Sequence, residues 1–265
     1  MKTAEESNGA DRSYVARTRL HVETPLVEGS VIDLARERAH YLRNVLRMQP
    51  GATLAVFNER DGEWQAVIEC FGKEGCRLRL EAQRRAGPRG ETDLWLLFAP
   101  IKRAGLEWMV EKATELGVSR MIPVITRRSD PVRINAERLG AIAIEAAEQC
   151  ERLTVPVIEP PRSFGTVLAE WRAERTLLAC CEVGPVRPIV AAISAAPPGP
   201  AAILIGPAGG FDTSELDELA RHPLVVPVGL GPRVLRAETA ALAALACWQA
   251  LRGEGAAELR PPFRA

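Results

Sequence analysis

The chain has 265 residues with 34 basic and 34 acidic side chains, so its formal net charge is zero. This length suits one catalytic domain together with a smaller partner domain. The charge balance argues against a protein that holds nucleic acid through bulk positive charge, although basic residues can still gather on one face.

The composition also disfavours membrane and metal-binding classes. No apolar stretch is long enough to span a membrane and the first residues are polar, which predicts a cytoplasmic protein without a membrane partner. The six cysteines form no CxxC pair, and His21, His40 and His222 are scattered along the chain. We therefore expect reduced thiols in the core and no metal site.

The N-terminal part of the chain has the pattern of a small β domain. Residues 1–14 lack periodicity and are predicted to form a disordered tail. Within residues 15–88, short β-like runs dominate. The predicted strands are Arg19–Val22, Thr53–Asn58, Glu63–Phe71 and Cys76–Gln83. One helix is expected over Ala35–Leu46, with Asp33 as its N-cap.

A linker rich in charge, glycine and proline, Arg84–Asp93, leads into a second pattern over residues 89–253. Strands and helices alternate there, which predicts a parallel α/β sheet. The predicted strands are Asp93–Ile101, Arg120–Ile125, Thr176–Glu182, Ala201–Pro207 and Leu224–Leu230. The predicted helices are Leu106–Leu116, Ala136–Arg152 with Arg152 on its polar face, and Ala237–Leu251. Residues 254–265 are predicted to form a C-terminal tail.

The candidate site follows from this sheet, because ligands of open α/β sheets lie beyond the carboxyl ends of the strands. Two glycine-rich loops follow predicted strands, Gly206–Phe211 and Gly229–Thr239. Glycines let backbone N–H groups approach a ligand closely, although such loops are often only turns. Neither loop has the P-loop or the GxGxxG spacing. The segment Arg127–Asp130 either holds a phosphate or caps the next segment.

Six motifs in order carry a resemblance to a known family. They are His40–Met48, Glu111–Val118, Arg128–Ser129, Glu145–Gln149, Ile205–Phe211 and Leu230–Ala240. Together they closely resemble the 16S ribosomal RNA uridine-N3 methyltransferases of the trefoil-knot (SPOUT) superfamily. The resemblance covers about Arg17–Gly253, and six ordered motifs are far more specific than any one of them.

The resemblance implies an α/β fold in two parts. Residues 15–88 would form a PUA-like β-barrel that helps to bind RNA, and residues 89–253 a trefoil-knotted, parallel-sheet methyltransferase domain. The knotted domains would form a homodimer. The implied cofactor is S-adenosyl-L-methionine, and the implied substrate is N3 of a uridine near the 3′ end of 16S rRNA in the small ribosomal subunit.

The resemblance also assigns site residues. The expected cofactor-binding residues are Cys180, Glu182, Ile205, Gly206, Pro207, Gly209, Gly210, Leu230, Gly231, Val234, Leu235 and Thr239. Arg236 is expected to fix the uracil or a phosphate, and Glu238 to orient that arginine or to take part in proton removal. A structural ion pair between them is the alternative. The expected RNA contacts are Arg19, Arg43, Arg47, Lys102 and Arg128.

One departure from the family pattern keeps other functions open, since Ala208 stands where the family usually has Glu. Loss of that carboxylate is compatible with a non-catalytic RNA-binding or ribosome-assembly factor of the same fold. A knotted methyltransferase acting on another RNA site is a second alternative, because fold does not fix substrate. A nucleotide-binding enzyme is disfavoured by the absent P-loop lysine.

Overall fold

The computed structural model describes residues 18–88, 93–129 and 133–253. The two predicted tails, 1–14 and 254–265, lie outside these residues. The described chain divides into two units, the first ending at Ala86 and the second beginning at Gly87. Among the described residues, no helix has both the length and the apolar character needed to cross a bilayer.

The N-terminal unit is a five-stranded sheet with one short helical segment. Its elements are β1 (Arg19–His21), β2 (Val31–Ala35), α1 (Arg36–His40), a π-helical turn (Tyr41–Val45), β3 (Thr53–Asn58), β4 (Gly62–Phe71) and β5 (Gly75–Arg85). The strand order is β1-β3-β4-β5-β2, antiparallel except for the β1–β3 pair. Alternation along β5 sends Cys76, Leu78 and Leu80 into the core while the arginines between them stay exposed.

The segment before α1 differs from the sequence prediction. Asp33 lies within β2, where its Oδ1 accepts a hydrogen bond from Nε of Arg77 at 3.0 Å. Ala35 occupies the N-cap of α1 without a side-chain bond, so the predicted cap was wrong. The cause is an alternating strand, buried at Ile32 and Leu34, that extends to the first residue of the helix. The linker also begins later than predicted: β5 continues through Arg85, so Arg84 and Arg85 belong to the strand.

The C-terminal unit alternates strands with helices. Its elements are β6 (Leu94–Phe98), α2 (Arg103–Glu115), β7 (Arg120–Ile125), α3 (Ala136–Gln149), β8 (Val157–Ile158), β9 (Arg162–Ser163), α4 (Phe164–Ala169), β10 (Thr176–Cys180), β11 (Arg187–Pro188), α5 (Ile189–Ala195), β12 (Ala201–Ile205), α6 (Thr213–Arg221), β13 (Val225–Gly229) and α7 (Ala237–Arg252).

All strand pairs of this unit are parallel, in the order β11-β13-β10-β12-β6-β7-β8, with β9 also paired to β7. One face of the sheet packs against side chains of α2, α3, α5 and α7, and the other against α4 and α6. Burial on both faces explains why β12 is apolar throughout. The order also places β12 between β6 and β10, so strands distant in sequence become neighbours.

The end of α3 corrects a second detail. The helix stops at Gln149, and Glu151 adopts a positive φ of 63° that reverses the chain. Arg152 is therefore buried rather than on a polar helix face. Its Nη1 donates to the carbonyl oxygens of Thr114 and Val118, both at 2.8 Å, near the end of α2. Arg152 thus links the chain after α3 to the end of α2, where the Thr114 carbonyl also accepts from the Gly117 amide at 3.1 Å.

Candidate active site

A cleft with a volume of about 150 Å³ opens where β10, β12 and β13 end. Ten of the twelve predicted cofactor-binding residues line it: Cys180, Glu182, Ile205, Gly206, Pro207, Gly210, Leu230, Gly231, Val234 and Leu235. The three strands are neighbours in the sheet, so their carboxyl ends bring three separate loops to one place. Most lining side chains are apolar, while loop backbone and the side chains of Glu182 and Arg233 bring polar groups, a combination typical of cofactor sites.

The two remaining predicted residues do not line the cleft. Gly209 is exposed, and its carbonyl oxygen accepts a hydrogen bond from Nη1 of Arg128 at 3.2 Å. Thr239 is exposed on α7, whereas Ala237 and Ala240 of the same helix line the cleft. Since residues three apart share a helix face and residues two apart do not, Thr239 points away when Ala237 and Ala240 point in.

Sequence reasoning missed seven residues of the cleft. They are Cys181, Ala208, Phe211, Pro232, Arg233, Ala237 and Ala240. Most of them belong to the same three loops, so they could have been found by including every residue of each loop rather than selected positions. The helical spacing of Ala237 and Ala240 was a second available signal.

Two glycines shape the wall of the cleft. A Cβ at Gly206 would lie 2.8 Å from the Phe211 ring, so the ring packs directly against the glycine backbone. Gly210 has φ of +69°, and a Cβ there would lie 1.9 Å from Oε1 of Glu182. The Glu182 carboxylate therefore lies directly over the glycine loop, at a position that only a glycine leaves open.

The cysteines of the cleft are neutral thiols at physiological pH. Burial, reinforced by the neighbouring thiols of Cys181 and Cys247, raises the pKa of Cys180 far above its ordinary value. Burial and the nearby Glu182 carboxylate raise the pKa of Cys181 to about 11. A protonated, buried thiol behaves as a small apolar group, so these cysteines shape the cleft rather than act as nucleophiles.

Arg236 and Glu238 lie at the start of α7, next in sequence to the lining residues Leu235 and Ala237, but neither of them lines the cleft. Arg236 is the exposed N-cap residue and directly follows the lining residue Leu235. The Glu238 carboxyl carbon lies 3.5 Å from where a Cβ at Gly105 would be, so it is packed beside α2. Within the described parts of the chain, the two side chains form no ion pair with each other, in contrast to the structural alternative raised from the sequence.

A buried carboxylate fixes the loops around the cleft. Glu215 is 3% exposed; its Oε1 accepts from the Arg127 amide at 2.8 Å and its Oε2 from the Asp212 amide at 2.9 Å. Asp212 in turn caps α6 and accepts from Arg128 at 3.3 Å. Hydrogen bonds from Ser214, with the nearby Arg128, lower the pKa of Asp212. The Arg127–Ser129 segment therefore closes a turn held against α6, and the next helix along the chain, α3, takes its cap from Asn135 instead.

The predicted RNA contacts fall into two groups. Arg43, Arg47, Lys102 and Arg128 are exposed. Arg19 is instead buried: its Nε donates to Oε2 of Glu63 at 2.7 Å, and its guanidinium carbon lies 4.2 Å from the centroid of the Phe57 ring. A guanidinium held inside the sheet domain is not available to a phosphate, so Arg19 has a structural role in place of the predicted RNA contact.

The parallel sheet and its cleft are those of the RNA methyltransferase class. A family model described as an RNA methyltransferase domain matches residues 88–249, and a model of the RNA methyltransferase PUA domain matches residues 34–81. The chain belongs to this RNA methyltransferase family. The predicted fold class, a trefoil-knot (SPOUT) methyltransferase domain with a small N-terminal PUA-like domain, is confirmed.

Similar proteins support this assignment over most of the chain. The ribosomal RNA small subunit methyltransferase E of Rickettsia conorii is 36% identical over 229 residues, which cover 86% of this chain and 93% of that protein. The protein of the same name from Synechocystis is 32% identical, and the match covers 90% of this chain and 79% of that protein. The chain therefore belongs to the ribosomal RNA small subunit methyltransferase E family.

Solved structures agree. The Neisseria gonorrhoeae methyltransferase E bound to S-adenosyl methionine has a TM-score of 0.76 and 26% identity, covering 89% of this chain and 98% of that chain. A methyltransferase from Legionella pneumophila, solved with bound cofactor SAM, has a TM-score of 0.75 and 30% identity. The match covers 88% of this chain and 97% of that chain.

Proposed function

We propose that this protein uses S-adenosylmethionine to methylate N3 of a uridine near the 3′ end of 16S rRNA in the small ribosomal subunit. The observation that carries the proposal is the cleft at the ends of β10, β12 and β13, which gathers ten residues chosen from the sequence alone. The relatives with bound cofactor and the family name support it.

The cleft fits the cofactor chemically. Ile205, Leu230 and Leu235 offer apolar surface to a planar adenine, and loop backbone offers hydrogen-bonding groups beside them. Glu182 brings a carboxylate to the same cleft, suited to hydroxyl or ammonium groups. When bound, S-adenosylmethionine supplies an electrophilic methyl group. The residues of the chain have to orient the uridine and manage its proton.

Proton removal is the chemical demand on the protein, because N3 of uridine carries a hydrogen. In the proposal, a carboxylate oxygen of Glu238 would accept the N3 proton as N3 takes the methyl group, while the sulfur–methyl bond of the cofactor would break and its electron pair would stay on the sulfur. Arg236 donates hydrogen bonds to a uracil carbonyl oxygen and stabilises the negative charge that develops on the ring. The lack of an ion pair between the two side chains leaves both available for these roles within the described structure.

The proposal includes a homodimer formed through the methyltransferase domains. Its structural support is apolar surface on two helices that pack on each other: Trp108 of α2 and Leu251 of α7 are each 42% exposed. Large exposed apolar side chains on adjacent helices are typical of protein interfaces. Light scattering of the purified protein would report the mass directly.

The decisive experiment uses small ribosomal subunits from cells that lack this gene. Labelled S-adenosylmethionine is supplied, and the product is mapped by mass spectrometry. A single new N3-methyluridine near the 3′ end of 16S rRNA is expected. No transfer, together with no cofactor binding, would instead favour the non-catalytic RNA-binding factor.

Matched variants test the assignment of the base. Glu238→Gln is expected to lower the transfer rate about a hundredfold or more, as removal of a general base does, with the Kd for cofactor unchanged. The control is Glu137→Gln, an exposed residue in the first turn of α3. Equal rates for the two variants would remove Glu238 from the mechanism.

A further inference from the structure

A second concavity lies in the N-terminal unit, between the α1 segment and the turn that joins β4 to β5. It has a volume of about 530 Å³, and the lining side chains that matter here are Arg36, His40, Arg43, Asn44, Phe71 and Lys73. We refer to it as the basic groove. We propose that the basic groove binds a single-stranded segment of the RNA substrate, with its cations on phosphates and one base on the Phe71 ring. The choice of RNA rests on the proposed function.

The basic groove holds uncompensated positive charge. Arg36, Arg43 and Lys73 form no ion pair with any residue in the described part of the chain. Two exposed arginines outside the groove differ, since Arg77 is paired with Asp33 at 3.0 Å and Arg60 with Asp61 at 2.7 Å. Three free cations converging on one hollow in a chain of zero net charge form a local site for a polyanion.

Acidic residues near the groove do not line it. Glu74 follows Lys73 in the turn, but it lines the adjoining hollow together with Asp33. The groove itself contributes only cations, His40, the amide of Asn44, an aromatic ring and small residues. An amide and a histidine can bond to base edges or to the 2′-hydroxyl of RNA, which a bare phosphate would not need.

An aromatic side chain lies in the groove. Phe71, the last residue of β4, is half-buried: one part packs on the sheet core and another faces the groove. The guanidinium carbon of Arg43 lies 5.9 Å from its ring centroid. An aromatic face flanked by cations is the arrangement with which proteins bind unpaired bases along a backbone, because every base has a π-face.

The turn that carries Lys73 has a fixed position. The Gly72 amide donates to the Gly75 carbonyl at 2.9 Å and closes the turn. A Cβ at Gly75 would lie 2.0 Å from the carbonyl oxygen of Leu34, so the turn packs tightly against β2. Lys73 is thereby held at the rim opposite α1, and little ordering is needed when a strand binds.

A single strand fits these features better than a duplex. The bases of a duplex are stacked on each other and offer no free face to Phe71. Binding of free phosphate would need only the cations, and its affinity would not depend on the Phe71 ring. Dependence of binding on both the charges and the ring therefore identifies the ligand.

The test measures binding of a labelled oligouridine of about ten nucleotides to the full-length protein by fluorescence anisotropy across a range of salt concentrations. Arg36→Gln/Lys73→Gln is expected to raise the Kd at least tenfold and to reduce the salt slope by about 1.4, the value for two lost phosphate contacts on a single strand. Phe71→Leu, which keeps the apolar packing, is expected to raise the Kd about tenfold with an unchanged salt slope. Arg60→Gln, an exposed arginine outside the groove, should bind like the unmodified protein.

Several outcomes would overturn the inference. They are equal binding by Arg36→Gln/Lys73→Gln and Arg60→Gln, no effect of Phe71→Leu, or equal weakening by Phe71→Leu for a duplex of the same length. Thermal unfolding midpoints establish that each variant is folded.

Cofactor binding and mapped methylation are measured on the same preparations. Groove-dependent binding without any methylation would overturn only the proposed function. Methylation with groove-independent binding would overturn only the basic groove.

Discussion

The two units bury polar side chains in different ways. In the N-terminal unit, Arg19 and Glu63 form a buried ion pair between side chains, and Oε1 of Glu63 has no hydrogen-bond partner. In the C-terminal unit, the buried charged residues Arg152 and Glu215 bind backbone groups at the ends of strands and helices, and Arg152 also donates to Oγ1 of Thr154 at 2.9 Å. A side-chain pair depends on both members, whereas a backbone partner cannot be removed by substitution. The N-terminal unit should therefore be the more sensitive to loss of one charge.

The largest expected effect tests that sensitivity. Arg19→Met should lower the free energy of unfolding by about 3 kcal/mol, because it leaves the Glu63 charge buried without its main partner. Arg85, whose Nη1 is 3.7 Å from Glu63, compensates only in part. Urea unfolding followed by hydrogen exchange would locate the loss in residues 18–86. The double variant Arg19→Met/Glu63→Leu should recover most of it, and failure to recover would contradict the ion-pair account.

A smaller loss of stability is expected when the buried carboxylate of the C-terminal unit, Glu215, is neutralised. Glu215→Gln keeps one acceptor oxygen and should cost about 1.5 kcal/mol, since one buried amide loses its bond. Because the Asp212 amide lies next to the cleft residue Phe211, the affinity for cofactor should fall as well. Calorimetric titration measures that fall. A loss of stability as large as that of Arg19→Met would remove the contrast between the units.

Gly210→Ala should cost about 1 kcal/mol in stability, because φ is +69°. Its main effect should be on the cleft, since the new methyl group displaces the Glu182 carboxylate. We expect the Kd for cofactor to rise at least tenfold. Gly140→Ala is the matched control: Gly140 lies inside α3 with nothing within 4 Å of its Cβ position, so this variant should gain about 0.5–1 kcal/mol.

The smallest expected effect concerns pH. The pKa of Cys181 rises from 9.0 to about 11 in the folded chain. The unfolded chain therefore loses this proton first, and stability from the neutral buried thiol is present below pH 9 and declines from pH 9 to 11. Cys181→Ala should show a shallower decline over that interval in thermal unfolding. An identical decline in both proteins would count against burial as the cause.

Much of the C-terminal fold could be predicted because its strands are continuous apolar runs and its longer helices have clear periodicity. Two-residue strands such as Val157–Ile158 carry too little pattern to detect. Asp33 was misassigned because an aspartate before a helical pattern resembles a cap, while its pairing with Arg77 depends on strand register. Arg152 was misassigned because the left-handed turn at Glu151 is invisible to periodicity.

The cleft could be located from the sequence because strand order and glycine loops determine where a parallel sheet binds ligands. The direction of individual side chains could not. Gly209 and Thr239 belong to the right loops, but Gly209 turns its carbonyl towards Arg128 and Thr239 lies on the other side of α7. In the sequence, Arg19 has the charge expected of an RNA contact. Only the structure, through the ion pair with Glu63, shows that its side chain is buried.

The order of strands in the sheet has a consequence for biosynthesis. The cleft needs β10, β12 and β13 together with the first turn of α7, and β12 also pairs with β6, about a hundred residues earlier. A ribosome makes the chain from its N-terminus, so the N-terminal unit can fold while the cleft is still incomplete. Ligand binding at the cleft therefore requires translation through the first turn of α7, and a translation product interrupted before β13 would carry the basic groove without the cleft.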